Sequence, residues 1–173
     1  MIILNPYNSN WKSLFEIECQ SLLSLGEAWI KKIEHIGSTA IEGIYAKPII
    51  DIMIGVNQLY DADRELILPI QSLNYEYISI YEEMFPLRRF FQKHGNDGVR
   101  THHIHLVEIN SDFWVKHLLF RDYLRANPVI AHQYEELKLT LAPKFNDGNQ
   151  YAAAKTEFIN HIITDALNSK YNY

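Results

Sequence analysis

The sequence predicts a single α/β domain, of the α+β kind, with a small mixed, mostly antiparallel sheet of about five strands. Short apolar or alternating runs, which are typical of strands, recur up to residue 109. Helical spacing of apolar residues occurs ahead of these strands and throughout the last third of the chain. We therefore expect an amino-terminal helix and three carboxy-terminal helices to pack on the sheet, with residues 1–173 sharing one core.

The first half of the chain alternates between helical and strand patterns. The second strand is the clearest, because its apolar run begins at Pro48 and stops before Gly55. The second helix has apolar residues at helical spacing but contains Pro69, which must bend the helix or end it early. The elements predicted here are a helix at 11–25, strands at 31–36 and 48–54, and a helix at 59–73.

An antiparallel meander of three strands is predicted next, and helices follow it. The segment from Gly95 to Gly98, with Asn and Asp between the two glycines, is a strong hairpin signal. Ser111 or Asp112 can cap the first of the later helices, and Pro128 suits the first position of the second. The elements are strands at 75–81, 87–93 and 100–109, helices at 113–126, 128–141 and 150–168, and a fraying tail at 170–173.

The composition argues against several classes of protein. A net charge of −5 argues against general nucleic-acid binding, and a single cysteine, Cys19, cannot form an internal disulfide or a cysteine-rich metal site. The first ten residues lack the basic lead and apolar run of a signal peptide. No run approaches the roughly 18 apolar residues that a membrane span needs. We expect a cytoplasmic protein that does not enter a membrane, and the sequence leaves its oligomeric state open.

A lone acid inside an apolar strand is the strongest sign of a functional site. Asp51 is the one charged residue of the 48–54 run, and an ionised carboxylate is costly to bury without a partner. Strand alternation places His103 and His105 on one face of the 100–109 strand, where Asp51 can line the same side of the sheet. One carboxylate with two imidazoles is a three-ligand set for a divalent transition metal.

The same three residues have a simpler interpretation. His103 and His105 could be hydrogen-bonded, partly exposed strand residues, while Asp51 caps a loop or pairs with a base. A His-x-His pattern also arises by chance in strands that carry histidine. The spacing alone therefore favours neither interpretation over the other.

Phosphate binding is suggested by the residues that precede the Asp51 strand. Gly37, at the end of a strand, lets the backbone approach a ligand, and Ser38 and Thr39 add hydroxyl donors at the start of a helical turn. Lys47 and Arg100 flank the candidate metal ligands and could neutralise a phosphate or a carboxylate.

Each of these features also has a structural explanation. The Gly37-Ser38 pair is compatible with a plain tight turn that Ser38 caps. Further bases lie on the neighbouring hairpin, at Arg88, Arg89 and Lys93, and basic residues at strand edges are commonly solvated and protect the edge from pairing.

Two segments of the chain resemble a known family. Residues 35–54, HIGSTAIEGIYAKPIIDIMI, and residues 100–107, RTHHIHLV, are similar to the signature of GrpB-like proteins. The similarity continues from Trp114 to Ile159, so it covers nearly the whole chain. By fold, this family is placed in the nucleotidyltransferase superfamily, and the resemblance therefore implies a nucleotidyltransferase-like fold.

The resemblance also implies a site for nucleotidyl transfer. The active members of that superfamily carry a Gly-Ser pair, then two acids one residue apart on the next strand, then a third acid on a later strand, and these acids hold magnesium ions. Gly37-Ser38 matches the first element, and Asp51 matches the first acid. Met53 stands in place of the second acid, and the third position falls near His103 or His105.

From these patterns we expect the chain to bind a nucleotide or another phosphorylated small molecule together with a divalent metal: magnesium, manganese or zinc. Transfer of a nucleotidyl group is the reaction that the resemblance implies. The alternatives are a catalytically inactive ligand-binding or regulatory domain that lacks the second acid, and another metal-dependent reaction such as hydrolysis. The predicted metal ligands and catalytic residues are Asp51, His103 and His105, and the predicted phosphate-binding residues are Gly37, Ser38, Thr39, Lys47 and Arg100.

Overall fold

A computed structural model describes residues 1–170 and contains a five-stranded mixed sheet. The strand order is β1-β2-β5-β4-β3, in which β2 and β5 run parallel and all other neighbours run antiparallel. The predicted fold class, a mostly antiparallel sheet of five strands with helices before and after it, is therefore confirmed. The strands are β1 (Ile30–Ile36), β2 (Ile50–Val56), β3 (Tyr75–Tyr77), β4 (Arg88–His94) and β5 (Arg100–Glu108).

Seven α-helices accompany the sheet in the described part of the chain. Short 3₁₀ turns lie at Ser38–Ala40, Ser79–Glu82 and Ala142–Lys144. No helix within residues 1–170 is long and apolar enough to cross a membrane. Most of the predicted fraying tail, residues 171–173, lies outside the described residues. The helices are α1 (Asn10–Gly26), α2 (Leu59–Glu65), α3 (Ile67–Ser72), α4 (Asp112–Ala126), α5 (Pro128–Leu141), α6 (Gly148–Ala153) and α7 (Thr156–Lys170).

Two predicted helices are each divided into two. The 59–73 segment breaks at Leu66, and Pro69 then lies in the first turn of α3, where its missing N–H requires no partner. The 150–168 segment breaks at a tightened turn, in which the Lys155 N–H donates to the Ala152 carbonyl at 3.2 Å. No glycine or proline in the sequence indicates this break. Four helices, rather than the three predicted, therefore follow the sheet.

Two strand boundaries also differ from the prediction. The strand predicted at 75–81 ends at Tyr77, because the chain turns into the 3₁₀ segment that begins at Ser79. Gly55 was expected to end β2, but it lies inside the strand, which continues to Val56. A Cβ atom at Gly55 would lie 2.7 Å from Cζ3 of Trp114, so the glycine makes room for this ring on the sheet.

The two faces of the sheet have different roles. The first face packs against α1, α2 and α3 around buried residues such as Leu22, Ile52 and Phe91. The second face carries Asp51 and is partly covered by α4, whose Trp114 packs against it. Beyond α4, a separate apolar cluster joins α4, α5 and α7 to the loop that precedes β2. The second face is thus left partly open for polar side chains.

The parallel pairing of β2 with β5 places the candidate residues. Asp51 is the register partner of His103, and Met53 is the partner of His105. Because side chains alternate between the two faces of a strand, Asp51, His103 and His105 all lie on the second face, as the sequence predicts.

Candidate functional site

Asp51 and two histidines are in contact at the centre of the second face. Oδ1 of Asp51 lies 3.0 Å from Nδ1 of His103 and 3.8 Å from Nε2 of His105. The first distance is a hydrogen bond, whereas the second is too long for one. The side chain of Asp51 is 28% exposed, and those of the two histidines are 15% and 13% exposed. The site is therefore partly closed to water but still reachable.

The hydrogen bond to Asp51 fixes the tautomer of His103. Burial by itself would raise the pKa of Asp51, but its contacts with His103 and His105 outweigh burial and hold the pKa below its ordinary value. An ionised carboxylate only accepts hydrogen bonds, so Nδ1 of His103 donates to it. In the neutral imidazole Nε2 of His103 is then the acceptor, and this buried atom has no hydrogen-bond partner within residues 1–170.

His105 is neutral at physiological pH. Burial lowers its pKa to about 4, although the neighbouring Asp51 carboxylate opposes this shift. Its ring lies between those of Phe90 and Phe113, with centroid distances of 5.3 and 5.5 Å. Nδ1 of His105 is buried and, among the described residues, has no hydrogen-bond partner. The second face therefore contains two buried imidazole nitrogens whose hydrogen-bonding capacity is unused by the described chain.

Gly37 and Ser38 lie beside the Asp51 carboxylate, as predicted. Gly37 has φ +71°, and a Cβ atom on it would lie 2.4 Å from Oδ2 of Asp51. Ser38 follows, and its side chain lies near the buried Tyr134 on α5. Burial raises the pKa of Tyr134 to about 12, although the contact with Ser38 opposes the rise. The backbone thus approaches Asp51 closely from β1, while α5 closes the same side.

Thr39 lies next to Ser38, but its hydroxyl is used within the fold. The side chain is buried and donates to the Ile49 carbonyl at 3.2 Å. It also lies 3.0 Å from Nε2 of His35, from which it accepts a hydrogen bond because its own proton is already donated. This arrangement fixes the turn between β1 and β2 and gives no free donor for a phosphate.

Three lysines from separate elements form a cluster near Asp51, and the sequence indicated just one of them, Lys47. The other two are Lys138 on α5 and Lys155 at the break between α6 and α7. Nζ of Lys47 lies 5.6 Å, and that of Lys155 4.2 Å, from the centre of the Tyr151 ring. Lys138 is 1% exposed and donates to the Tyr45 carbonyl. Lys138 and Lys155 lie in the part of the sequence that resembles GrpB-like proteins, but neither was predicted to bind a ligand.

Burial lowers the pKa of all three lysines, and for Lys155 and Lys138 the charge of a neighbouring lysine adds to this effect. Burial, followed by the charge of Lys47, lowers the pKa of Lys155 to about 8, and the charge of Asp51 opposes this. Burial, followed by the charge of Lys155, lowers the pKa of Lys138 to about 7. Burial also lowers the pKa of Lys47, again opposed by Asp51. Asp51 faces Lys47 and Lys155, and Glu135 faces Lys138. Two carboxylates therefore oppose three amines, and this leaves an excess of positive charge.

Two further residues complete this end of the site. Arg100 is exposed, and its charge contributes to the lowered pKa of Lys47, so it lies at the rim where the sequence predicts it. Tyr151 is 1% exposed, and its hydroxyl has no hydrogen-bond partner within the described residues. A buried hydroxyl without a partner costs free energy, which is typical of a place where a ligand or an ordered water completes the bonding.

The arrangement of Asp51, His103 and His105 differs from that of a metal centre. Asp51 and His103 bond directly to each other, which occupies atoms that a metal ion would need. Within residues 1–170, no group of three or more His, Cys, Asp or Glu side chains is placed to hold a metal ion. As they lie, these side chains do not fit a metal centre, and the divalent ion predicted from the sequence stays a prediction.

Met53 occupies the position at which the resemblance places a second acid. Its side chain is fully buried and packs in an apolar cluster with Ile36, Val107 and Trp114. A thioether in this setting cannot supply the hard oxygen ligand that magnesium prefers. The second face therefore offers one carboxylate where two-metal chemistry needs several.

A cavity of about 600 Å³ lies elsewhere, on the far side of β1 between α1, α4 and α5. Its lining includes His35, Thr39, Arg121 and Arg125, but neither Asp51 nor the two histidines of β5. Of the predicted site residues, it contains Thr39 alone. We place the candidate site at Asp51 because the unpaired polar atoms and the excess positive charge lie there.

The fold and the site together define a mixed α/β protein whose sheet presents one carboxylate, two imidazoles and nearby buried lysines on a partly open face. The family model described as GrpB protein matches residues 1–165. The chain therefore belongs to the GrpB family, as its resemblance to that family implied.

Individual relatives agree with this assignment. The glutamate-rich protein GrpB of Alkalihalophilus pseudofirmus is 37% identical over 167 residues, which are 95% of each chain. The UPF0157 protein YqkA of Bacillus subtilis is 41% identical over 154 residues, which are 88% of this chain and 43% of YqkA. A crystal structure of the conserved protein GrpB from Enterococcus faecalis superposes with a TM-score of 0.85 at 35% identity, covering 98% of this chain and 100% of that one.

Proposed function

We propose that the chain binds a phosphorylated small molecule, such as a nucleotide, between Asp51 and the cluster formed by Lys47, Lys138 and Lys155. The observation that carries this proposal is the convergence of Lys47 and Lys155 on the Tyr151 ring, with Asp51 opposing both charges and the buried Lys138 close to Lys155. Like charges that are buried together cost free energy, and a bound phosphate would offset this cost through charge-assisted hydrogen bonds. The ring of Tyr151 lies near two of these amines, and its unpaired hydroxyl is a further donor for the same ligand.

The turn at Gly37-Ser38 suits the same ligand. The absence of a side chain at Gly37 makes room for the Asp51 carboxylate, and the hydroxyl of the adjacent Ser38 could donate to a phosphate ester. Arg100, at the rim, would add a fork of N–H donors to the outer phosphate oxygens. This assignment keeps all of the predicted phosphate-binding residues except Thr39, and it adds Lys138, Lys155 and Tyr151.

Proton transfer is the chemistry that the Asp51–His103 pair favours. The carboxylate orients the ring through Nδ1 and stabilises the imidazolium that would form if Nε2 accepted a proton. A substrate hydroxyl within hydrogen-bonding distance of Nε2 could lose its proton to it. We therefore propose that His103, positioned by Asp51, acts as a general base toward a hydroxyl of the bound ligand or of an acceptor.

Nucleotidyl transfer is the second candidate, and the placement of Gly37-Ser38 against the first acid favours it. The buried Met53 weighs against the usual form of that reaction, in which paired carboxylates hold two ions. Binding without transfer is therefore the form of the proposal to test first.

A thermal-shift screen at constant ionic strength tests the binding proposal. The ligands are inorganic phosphate, ATP, AMP and adenosine, each with and without magnesium. We expect the phosphorylated ligands to raise the Tm of the native protein, because a ligand that binds only the folded state stabilises it. Lys155→Met should abolish or greatly reduce this shift, since it removes one of the clustered amines.

Lys116→Met is the matched control. Lys116 is on α4, and its 56% exposed side chain makes a surface ion pair with Asp112. This variant should respond to the ligands as the native protein does. If Lys155→Met and Lys116→Met respond alike, or if adenosine shifts the Tm as much as ATP, the lysine cluster does not bind phosphate.

A further inference from the structure

Arg88 lies on the second face, at the opposite end from the lysine cluster. Its register partner on β5 is Val107. Val107 is four residues beyond His103, which corresponds to about 13 Å along the strand at roughly 3.3 Å per residue. Its guanidinium carbon lies 4.5, 5.3 and 5.6 Å from the ring centres of Phe85, Phe90 and Phe113. Three aromatic rings thus surround one cation.

This guanidinium has no polar partner in the described part of the chain. Its Nε atom is buried without a hydrogen bond, and neither terminal nitrogen makes a hydrogen bond or an ion pair within residues 1–170. Its neighbour Arg89 differs, because it donates to both carboxylate oxygens of Asp63 at 2.6 and 2.8 Å and lies 3.3 Å from Glu82. A partly buried arginine without a partner lowers the stability of the fold, and a bound anion would offset this cost.

Two histidines, His105 and His117, lie near Arg88. His105 shares the rings of Phe90 and Phe113 with it, and Nδ1 of His105 is also buried without a partner. His117 stacks on Phe113 with a centroid distance of 3.8 Å and donates through Nδ1 to the Phe113 carbonyl. Burial, aided by the charge of Arg88, lowers the pKa of both histidines, so Arg88 is the main positive charge in this group.

We propose that Arg88 binds an oxyanion, the carboxylate or phosphate of a small molecule, against the wall formed by Phe85, Phe90 and Phe113. The site is separate from the lysine cluster and does not depend on the function proposed above. A planar guanidinium whose face is held by aromatic rings can present its N–H edge to two oxygens at once. The two sites would hold two anionic groups on one face of the sheet, which suits two substrates or the two ends of one.

The test uses the Lys47→Met/Lys155→Met protein. Because the lysine cluster is disrupted in this variant, any effect of an anion reports on binding at Arg88. Sodium phosphate and sodium acetate are titrated at matched ionic strength against sodium chloride, and the Tm is followed. We expect phosphate, acetate or both to raise the Tm, and the stronger of the two identifies the class of oxyanion. Adding Arg88→Met should abolish this rise and, without any anion, increase the Tm on the order of 3 °C because an unpaired charge is removed.

Arg88→Lys is a second variant, which keeps the positive charge but cannot make the bidentate hydrogen bonds of a guanidinium group. It should retain less than half of the anion-induced shift. The proposal is overturned if neither anion shifts the Tm of the Lys47→Met/Lys155→Met protein. It is also overturned if Arg88→Met lowers the anion-free Tm and leaves the response to anions unchanged, as expected of an arginine that serves only to pack the rings.

Discussion

Gly37 lies so close to Asp51 that a methyl group on its Cα would come within 2.4 Å of the Oδ2 atom of the carboxylate. The same glycine has φ +71°, in the left-handed region that residues with a side chain rarely adopt. The backbone and the carboxylate are therefore held against each other. This contact links the end of β1 to the start of β2, where the candidate site is built.

Gly37→Ala should destabilise the protein more than an ordinary glycine substitution does. Gly43 is the matched control, because it has φ +82° but would place its Cβ in open space. Both variants lose about 1 kcal/mol to backbone strain, and Gly37→Ala loses about 1–3 kcal/mol more as the carboxylate is displaced. Urea denaturation measures the difference. Equal losses in the two variants would show that the contact with Asp51 is easily relieved.

Arg121 should be important for stability because it ties α4 to β1. It is 8% exposed, donates to Glu34 at 2.7 Å and to the His35 carbonyl at 2.9 Å, and pairs with Asp122. Arg121→Met should cost about 3 kcal/mol of unfolding free energy, since Glu34 then keeps only its pair with Lys32. Arg125→Met, at a side chain that is 44% exposed, is the control and should cost about 1 kcal/mol or less. Similar losses from denaturant titrations would contradict this assignment.

Acid should destabilise the protein between about pH 6.5 and pH 4, in part through His35. Burial lowers the pKa of this residue in the folded state to about 4, below the ordinary value of 6.5. As the pH falls, the unfolded chain therefore takes up the proton first, and stability is lost until the pH reaches the folded-state pKa. The full shift corresponds to on the order of 3 kcal/mol.

A variant that cannot titrate at this position isolates the effect. His35→Gln keeps a side-chain N–H donor for Thr39, and its unfolding free energy should fall less steeply over this range than that of the native protein. His161→Gln is the control, because His161 is exposed. If His35→Gln retains the full acid sensitivity of the native protein, His35 is not one of its sources.

Elemental analysis tests whether the protein contains the divalent metal predicted from the sequence. The protein is purified without chelator or affinity histidines. We expect less than stoichiometric metal, because Asp51 bonds directly to His103 and the described residues contain no group placed to hold an ion. A near-stoichiometric transition metal that His103→Ala/His105→Ala loses would instead establish the three-ligand site predicted from the sequence.

The sheet was predictable because its signals are local. Strict alternation in β5 and the apolar run of β2 determine which face each side chain occupies, so the meeting of Asp51 with His103 and His105 follows once the two strands pair. Pairing within the meander likewise follows from short-range turn chemistry. These features need no knowledge of distant contacts.

The rest of the site depends on packing between distant segments. Lys138 lies on α5 and Lys155 at the break between α6 and α7, in segments predicted as helices, where a lysine ordinarily indicates a solvated surface. Only the packing of these segments brings the two lysines near Lys47. The break between α6 and α7 has the same origin, since no glycine or proline marks it. The hydroxyl bonds of Thr39 were not predictable either, because its partners, the Ile49 carbonyl and the His35 ring, belong to other segments.

The most direct test of the proposed function is the affinity for ATP compared with that for adenosine, measured by titration calorimetry on the native protein and on Lys155→Met. If Asp51 and the lysine cluster form a phosphate site, the native protein binds ATP well and adenosine weakly or not at all. Lys155→Met should then bind ATP about 10- to 100-fold more weakly, the range expected for the loss of a charge-assisted hydrogen bond. Equal affinities for ATP and adenosine, or an unchanged ATP affinity in Lys155→Met, would contradict the proposal.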